Sequence, residues 1–209
     1  MVRTTGVTKR ARQAIFVLAL ALLAFTAQAQ TAKKSLVAFP FGLGESVMET
    51  KDYSLQDELT KAVIERLKKD PQFAVLTFSR THPSVRRALA EGSLKSALLL
   101  EPFTGVEGGQ PKAVTLGRLM RGQLALAGVV DSFEYDAEKK MAKVVVSIEL
   151  YDIAESKLLG AVAMTAEGAG DTEMAAAKAT AAKLAETAVP EAVKILTAPR
   201  KKDGGLDAS

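Results

Sequence analysis

The spacing of apolar residues changes several times along the chain, and each change predicts an element. Residues 35–41 (SLVAFPF) form a compact apolar run of the length of a buried strand. A polar loop follows over 42–53. Leu55, Leu59, Ala62, Val63 and Leu67 then recur at steps of four, three, one and four, which puts them on one stripe of a helix. Ser54 stands at the N-cap position, with Asp57 three residues on as a capping acid. Lys68 and Lys69 suit the negative end of the helix dipole, and Asp70-Pro71 ends the element. A second strand is predicted over 73–78 (FAVLTF) and a short helix over 83–90, stopped near Gly92. Residues 93–100 fit a helix or a strand. Residues 101–112 (EPFTGVEGGQPK) hold two prolines and three glycines and predict turns. A further short helix is predicted over 114–121.

From residue 123 onward three strands follow closely. Residues 123–133 are apolar on both faces, as a central strand would be. Within 141–152, Val144, Val146, Ile148 and Leu150 share one face, and Val145, Ser147, Glu149 and Tyr151 share the other. A third strand is predicted over 158–167, with Leu158, Val162 and Met164 on one face. The turns at 136–140 and 152–157 are too short for crossovers, so the three strands form an antiparallel meander. An alanine-rich helix closes the chain over 171–196. Its seam is Met174, Ala177, Ala181, Leu184, Ala188 and Ile195, and Pro190 is expected to kink it. The order β-α-β-α-(α)-β-β-β-α predicts an α/β (α+β) domain with a single mixed sheet, an antiparallel C-terminal meander and helices packed on the sheet. The domain is expected over 30–198, with a disordered tail over 199–209.

The first 29 residues read differently. Residues 1–12 carry Arg3, Lys9, Arg10 and Arg12 and no acid, and residues 14–25 are an unbroken apolar run. Ala27-Gln28-Ala29 is then a small-x-small cleavage site, so a cleavable signal peptide over 1–29 and a mature start at Gln30 are expected. The alternative is a retained anchor, but a spanning helix needs ~20 apolar residues. Export changes the charge balance. The chain has 28 Lys+Arg and 24 Asp+Glu, and removing the four bases of the leader leaves equal numbers of each. The basic surplus belongs to the leader and gives no reason to expect nucleic-acid binding. There is no cysteine, which excludes disulfides, thiolate metal sites, cysteine nucleophiles and a lipid anchor on a cysteine after the cleavage site.

These patterns resemble a group of bacterial envelope proteins. The group includes the curli-secretion channel subunit (CsgG-like), the N-terminal domain of the Tol-system protein TolB, and the outer-membrane lipoprotein that activates penicillin-binding proteins (LpoB-like). The resemblance runs over about 35–196. It is carried by SLVAFPF (35–41), LTKAVIERLKKDPQFAVLTFSR (59–80), GRLMRGQLALAGVVDSF (117–133), VVVSIELYDIAESKLLGAVA (144–163) and the closing helix. These are apolar patterns, not chemical signatures, so they speak to fold more than to function. The chain departs from the group in three ways. It lacks the lipid-attachment cysteine of several members. Neither 101–112 nor 136–140 is long enough for the barrel hairpins of a channel, which need roughly 9 to 11 residues per strand. Glu155-Ser156 replace the Thr/Ser-Gly pair common before the last strand.

Candidate chemistry is sparse. His82 is the only histidine and reads as a turn residue rather than a general base or metal ligand. Gly42, Gly44 and the residues after them lack the third glycine of a dinucleotide loop, which would fall at Val47, and lack a Gly-Lys-Ser/Thr. The acid pairs Glu45 with Glu49 and Asp131 with Glu134 read as surface. The 101–112 segment is the exception. Phe103 and Val106 are apolar among glycines and prolines, and would either present an anchor to a partner or, for Phe103, fold back on the core. The expectation is an exported, periplasmic or extracellular, non-enzymatic envelope module without cofactor. It would bind an envelope protein or self-associate, with Phe103 and Val106 as partner-binding residues. The rival expectation is a small-ligand-binding domain using a pocket beside the 42–53 loop. A pocket lined by Glu45, Tyr53 and His82 would favour the rival; an exposed apolar patch or a sheet edge would favour the partner reading.

Overall fold

A computed structural model describes residues 33–199. The expected leader over 1–29, its cleavage residues Ala27, Ala29 and Gln30, and the tail beyond Pro199 lie outside the described residues. The fold is a mixed sheet with helices on both faces. In chain order the elements are β1 (Lys34–Ala38), β2 (Gly42–Leu43), α1 (Leu55–Leu67), β3 (Phe73–Thr77), α2 (Pro83–Ala90), β4 (Val106–Glu107), β5 (Gln110–Pro111), α3 (Lys112–Leu119), β6 (Leu124–Asp136), β7 (Met141–Asp152), β8 (Lys157–Ala169) and α4 (Glu173–Thr197). The main sheet runs β3-β1-β6-β7-β8, with the short β2 also paired to β6. β1 is parallel to β3 and β6, and β6, β7 and β8 are antiparallel. β4 and β5 form a separate two-stranded hairpin. Residues 93–100, open between helix and strand, contain a single 3-10 turn at Ser96–Leu99.

The central strands are buried on both faces, and their alternation divides the core in two. Leu36, Leu124 and Leu126 point to one side, where β7 adds Val144, Val146, Ile148 and Leu150 and the helices α1 and α4 cover them. Val37, Phe39, Ala125 and Ala127 point to the other side, under α2, α3 and the segment that carries Phe103. Ser54 caps α1 by accepting the Asp57 N–H at 3.2 Å, and Thr172 caps α4 by accepting that of Ala175 at 3.2 Å. Each cap satisfies a donor that has no partner within the helix. Helix α4 approaches the sheet closely. A Cβ on Gly168 would fall 2.3 Å from the Thr180 backbone nitrogen, so no larger residue fits there. Thr180, itself buried, donates to the Ala142 carbonyl at 3.2 Å and the Ala176 carbonyl at 2.8 Å.

Two sequence expectations are corrected here. Leu158 does not share a face with Val162 and Met164. Leu150 faces Gly160 while Tyr151 faces Leu158, which leaves Leu159 as an extra residue. Because side chains alternate with period two, that bulge turns Leu158 to the opposite face, where it is 48% exposed. On α4, Met174 is only half-buried; Ile195, also half-buried, packs against the core beside Gly160, and the buried stripe runs from Ala176 through Leu184 to Leu196. Pro190 stands inside α4. It lies on the exposed side, so the carbonyl of Glu186 that loses its donor can bond to water. No helix among the described residues is long and apolar enough to cross a membrane.

Candidate functional site

The segment over 101–112 is built from a buried root and an exposed tip. At the root, Phe103 is fully buried. Its ring centroid lies 5.2 Å from that of Phe39 and 5.1 Å from that of Phe78, and those two stack at 4.7 Å. Phe39 and Phe78 follow the ends of β1 and β3 and leave an apolar hollow beside α2 and α3, which Phe103 fills. This corrects the reading of Phe103 as a presented anchor. A ring of this size releases more free energy in that hollow than it would on a loop surface. The preceding Pro102 sits against the chain at β2. A Cβ on Gly42 would meet the Pro102 Cβ at 2.6 Å, so Gly42 is required for the loop to seat.

Polar ties complete the root. The Lys112 ammonium, whose side chain is 15% exposed, donates to the carbonyls of Leu100 at 3.2 Å and Pro102 at 3.3 Å and lies 4.0 Å from Glu107. From the sheet side, Oε2 of Glu149 accepts the Gly105 N–H at 3.2 Å and the hydroxyl of Tyr151. Burial first, and then the Glu149 carboxylate, hold the Tyr151 phenol above its ordinary range. One carboxylate on β7 thus fastens the hairpin to the sheet.

Beyond this root the chain projects. Gly108 and Gly109 have φ of 62° and 83°, which matches a two-residue hairpin turn with both central residues left-handed. Val106 is 68% exposed and Leu100, just before the root, is 62% exposed. The tip therefore shows an apolar side chain on a short, tied hairpin. Beside it the sheet is uncovered: Ser147 and Glu149 of β7 are half-buried, and Ala161, Ala163 and Thr165 of β8 are exposed.

The remaining candidates are accounted for separately. Nδ1 of His82 accepts the Ser84 N–H at 3.3 Å, so the imidazole serves as the N-cap of α2. Asp131 sits at the bulge between Val130 and Ser132 and accepts the Ser147 hydroxyl at 2.7 Å, whereas Glu134 lies opposite Lys143. The loop before α1 borders an open cleft of about 780 Å³ lined by Val47, Met48, Tyr53, Phe133, Tyr135 and Glu173, among others. Glu45 and His82 are not part of it. Tyr53 donates to Oε1 of Glu173 at 3.0 Å, and burial, reinforced by that carboxylate, raises its phenol well above the usual range. Among the described residues no three metal-ligating side chains gather.

No protein-family model matches the chain, and no curated protein matches it. Solved structures do share its fold. The hypothetical protein CT253 from Chlamydia trachomatis is 13% identical, with 79% of this chain and 96% of that one covered and a TM-score of 0.50. A PelC dodecamer from Paraburkholderia phytofirmans is 11% identical over 80% of this chain and 90% of that one, with a TM-score of 0.47. The LpoB C-terminal domain from Salmonella enterica is 12% identical over 65% and 83%, with a TM-score of 0.42. At these identities the likeness is one of fold. The LpoB domain named in the sequence resemblance is among these structures; nothing here bears on the channel subunit or TolB.

Proposed function

We propose that the chain is an exported, non-enzymatic envelope module that binds a protein partner through the hairpin over 101–112. Val106 is its apolar contact. The carrying observation is the contrast within one segment: Val106 is 68% exposed on a tip whose root is fixed by Phe103, Lys112 and Glu149. A tied, exposed apolar residue loses little entropy when it enters a partner's pocket. The compartment rests on the leader over 1–29 and on the resemblance to envelope proteins. Phe103 keeps a part in this reading by fixing the root and not by touching the partner. Intact-mass measurement of the protein from its host should give a chain starting at Gln30; a chain retaining 1–25 in the membrane fraction would contradict export by cleavage.

The test is site-specific photo-crosslinking in intact cells, with the crosslinking residue at position 106 and a control at position 183, which is exposed on α4. A discrete protein adduct at 106 and none at 183 supports the reading. Equal labelling at both sites, or none at 106, overturns it. The open cleft before α1 favours a second reading, a small-ligand site, because three aromatic residues line it. Its signature is loss of cellular function in Tyr135→Ala while crosslinking at 106 persists.

A further inference from the structure

We infer that two copies of the chain pair antiparallel through β8, centred on Val162. β8 is an edge of the main sheet. It pairs with β7 on one side, and no described strand pairs with it on the other. At 13 residues it is long for an edge, and edges of that kind are normally blunted by lysine, proline, inward charge or bulges. Residues 158–166 (LLGAVAMTA) contain no charge and no proline, and the one bulge, at Leu159, leaves residues 160–169 in unbroken register with β7. The opposite edge, β3, has five residues and a parallel neighbour, so it offers a shorter template.

The strand's own charges select the occupant. Lys157 stands at one end of the uncharged run and Glu167 at the other. Antiparallel pairing brings the basic end of one copy to the acidic end of the second, and parallel pairing would set like against like. A two-fold axis at Val162 places Ala161 opposite Ala163 of the second copy, and Gly160 opposite Met164. Ala161 and Ala163 are exposed on the face away from α4, and side chains this small leave the strands free to approach. The bulge at Leu159 also turns Leu158 to this face, 48% exposed, beside Thr165 of the second copy. Pairing would therefore cover an apolar residue that the single chain leaves in water. This surface adjoins the hairpin, since Ala161 pairs with Glu149, so the two readings are told apart by what position 106 captures.

Sedimentation of the purified protein tests it with a register-specific pair of variants. The wild type should sediment at twice the mass of one chain. Ala161→Lys with Ala163→Lys sets two like-charge pairs across the axis, and should weaken the dimer by at least about tenfold with an unchanged circular dichroism spectrum. Ala161→Lys with Ala163→Glu carries two equally large changes but sets opposite charges across the axis, and should restore the dimer. A wild type that stays monomeric at high concentration overturns the proposal, even if β8 captures a strand of another protein. So does a dimer that survives the double-lysine change, or one that the lysine–glutamate pair fails to restore. Capture of a different protein at position 106 in the wild type supports the partner reading whether or not the chain is dimeric.

Discussion

Phe103 and Val106 stand three residues apart in one loop and have opposite fates. Phe103 is fully buried between Phe39 and Phe78, and Val106 is 68% exposed. Both are apolar residues among glycines and prolines, so composition alone treats them alike. The difference lies in what the fold offers each. The ends of β1 and β3 leave a hollow of aromatic width at the root, and no described residue covers the tip. An apolar residue in a loop is thus a staple where a cavity awaits it and a contact where none does.

The comparison breaks most visibly at the root. Phe103→Ala should cost about 3 to 5 kcal/mol, the usual range for emptying a buried aromatic site, read as a lower urea midpoint. A midpoint equal to wild type would mean that Phe103 is not the staple. The next largest effect is at Glu149. Replacing it with Gln removes the charge that holds both the Gly105 N–H and the Tyr151 hydroxyl, and should cost about 1 to 3 kcal/mol. Hydrogen exchange at Gly105 should quicken with it; unchanged exchange would show that the hairpin is held elsewhere.

The same residues carry a pH dependence. The folded-state pKa of Tyr151 is raised by burial and by Glu149, and the unfolded value is about 10. A raised pKa gives stability that is full below the unfolded value and is lost as pH rises from there toward the folded value. The denaturant midpoint should therefore fall above about pH 10, and Tyr151→Phe should flatten that fall. Tyr53, raised in the same direction, will keep part of the slope. An unchanged slope in Tyr151→Phe would place the effect at Tyr53 alone. Smaller again is His82→Ala, which removes only an N-cap and should cost about 0.5 to 1 kcal/mol, with partner crosslinking at 106 intact. Loss of crosslinking in that variant would assign the histidine a role beyond capping.

Where local rules govern, the sequence was legible. The alternation over 141–152 coincides with β7, and Ser54 caps α1 through Asp57 as its spacing implies. The two-sided apolarity of residues 124–127 marks a strand with core on both sides. Legibility failed where one residue's fate depends on distant ones. The bulge at Leu159 reverses Leu158 against its own period, and only the pairing with β7 reveals it. Phe103 reads as either an anchor or a core residue until β1 and β3 are set side by side. The tie from Glu149 to Gly105 spans 44 residues, and the pattern on β7 shows only a polar residue on a half-buried face. The signal for turns over 101–112 was plain, yet the hairpin hidden in it follows from two glycines with positive φ.

The division between root and tip is tested most directly by Val106→Asp. The substitution lies on an exposed tip and should shift the urea midpoint by less than about 0.5 kcal/mol in stability. It sets a charge where a partner's apolar pocket would close. Capture of the partner identified by crosslinking at position 106 should fall at least about tenfold, with the root and fold unchanged. Wild-type capture by a folded Val106→Asp chain would contradict the assignment of the tip as the contact surface.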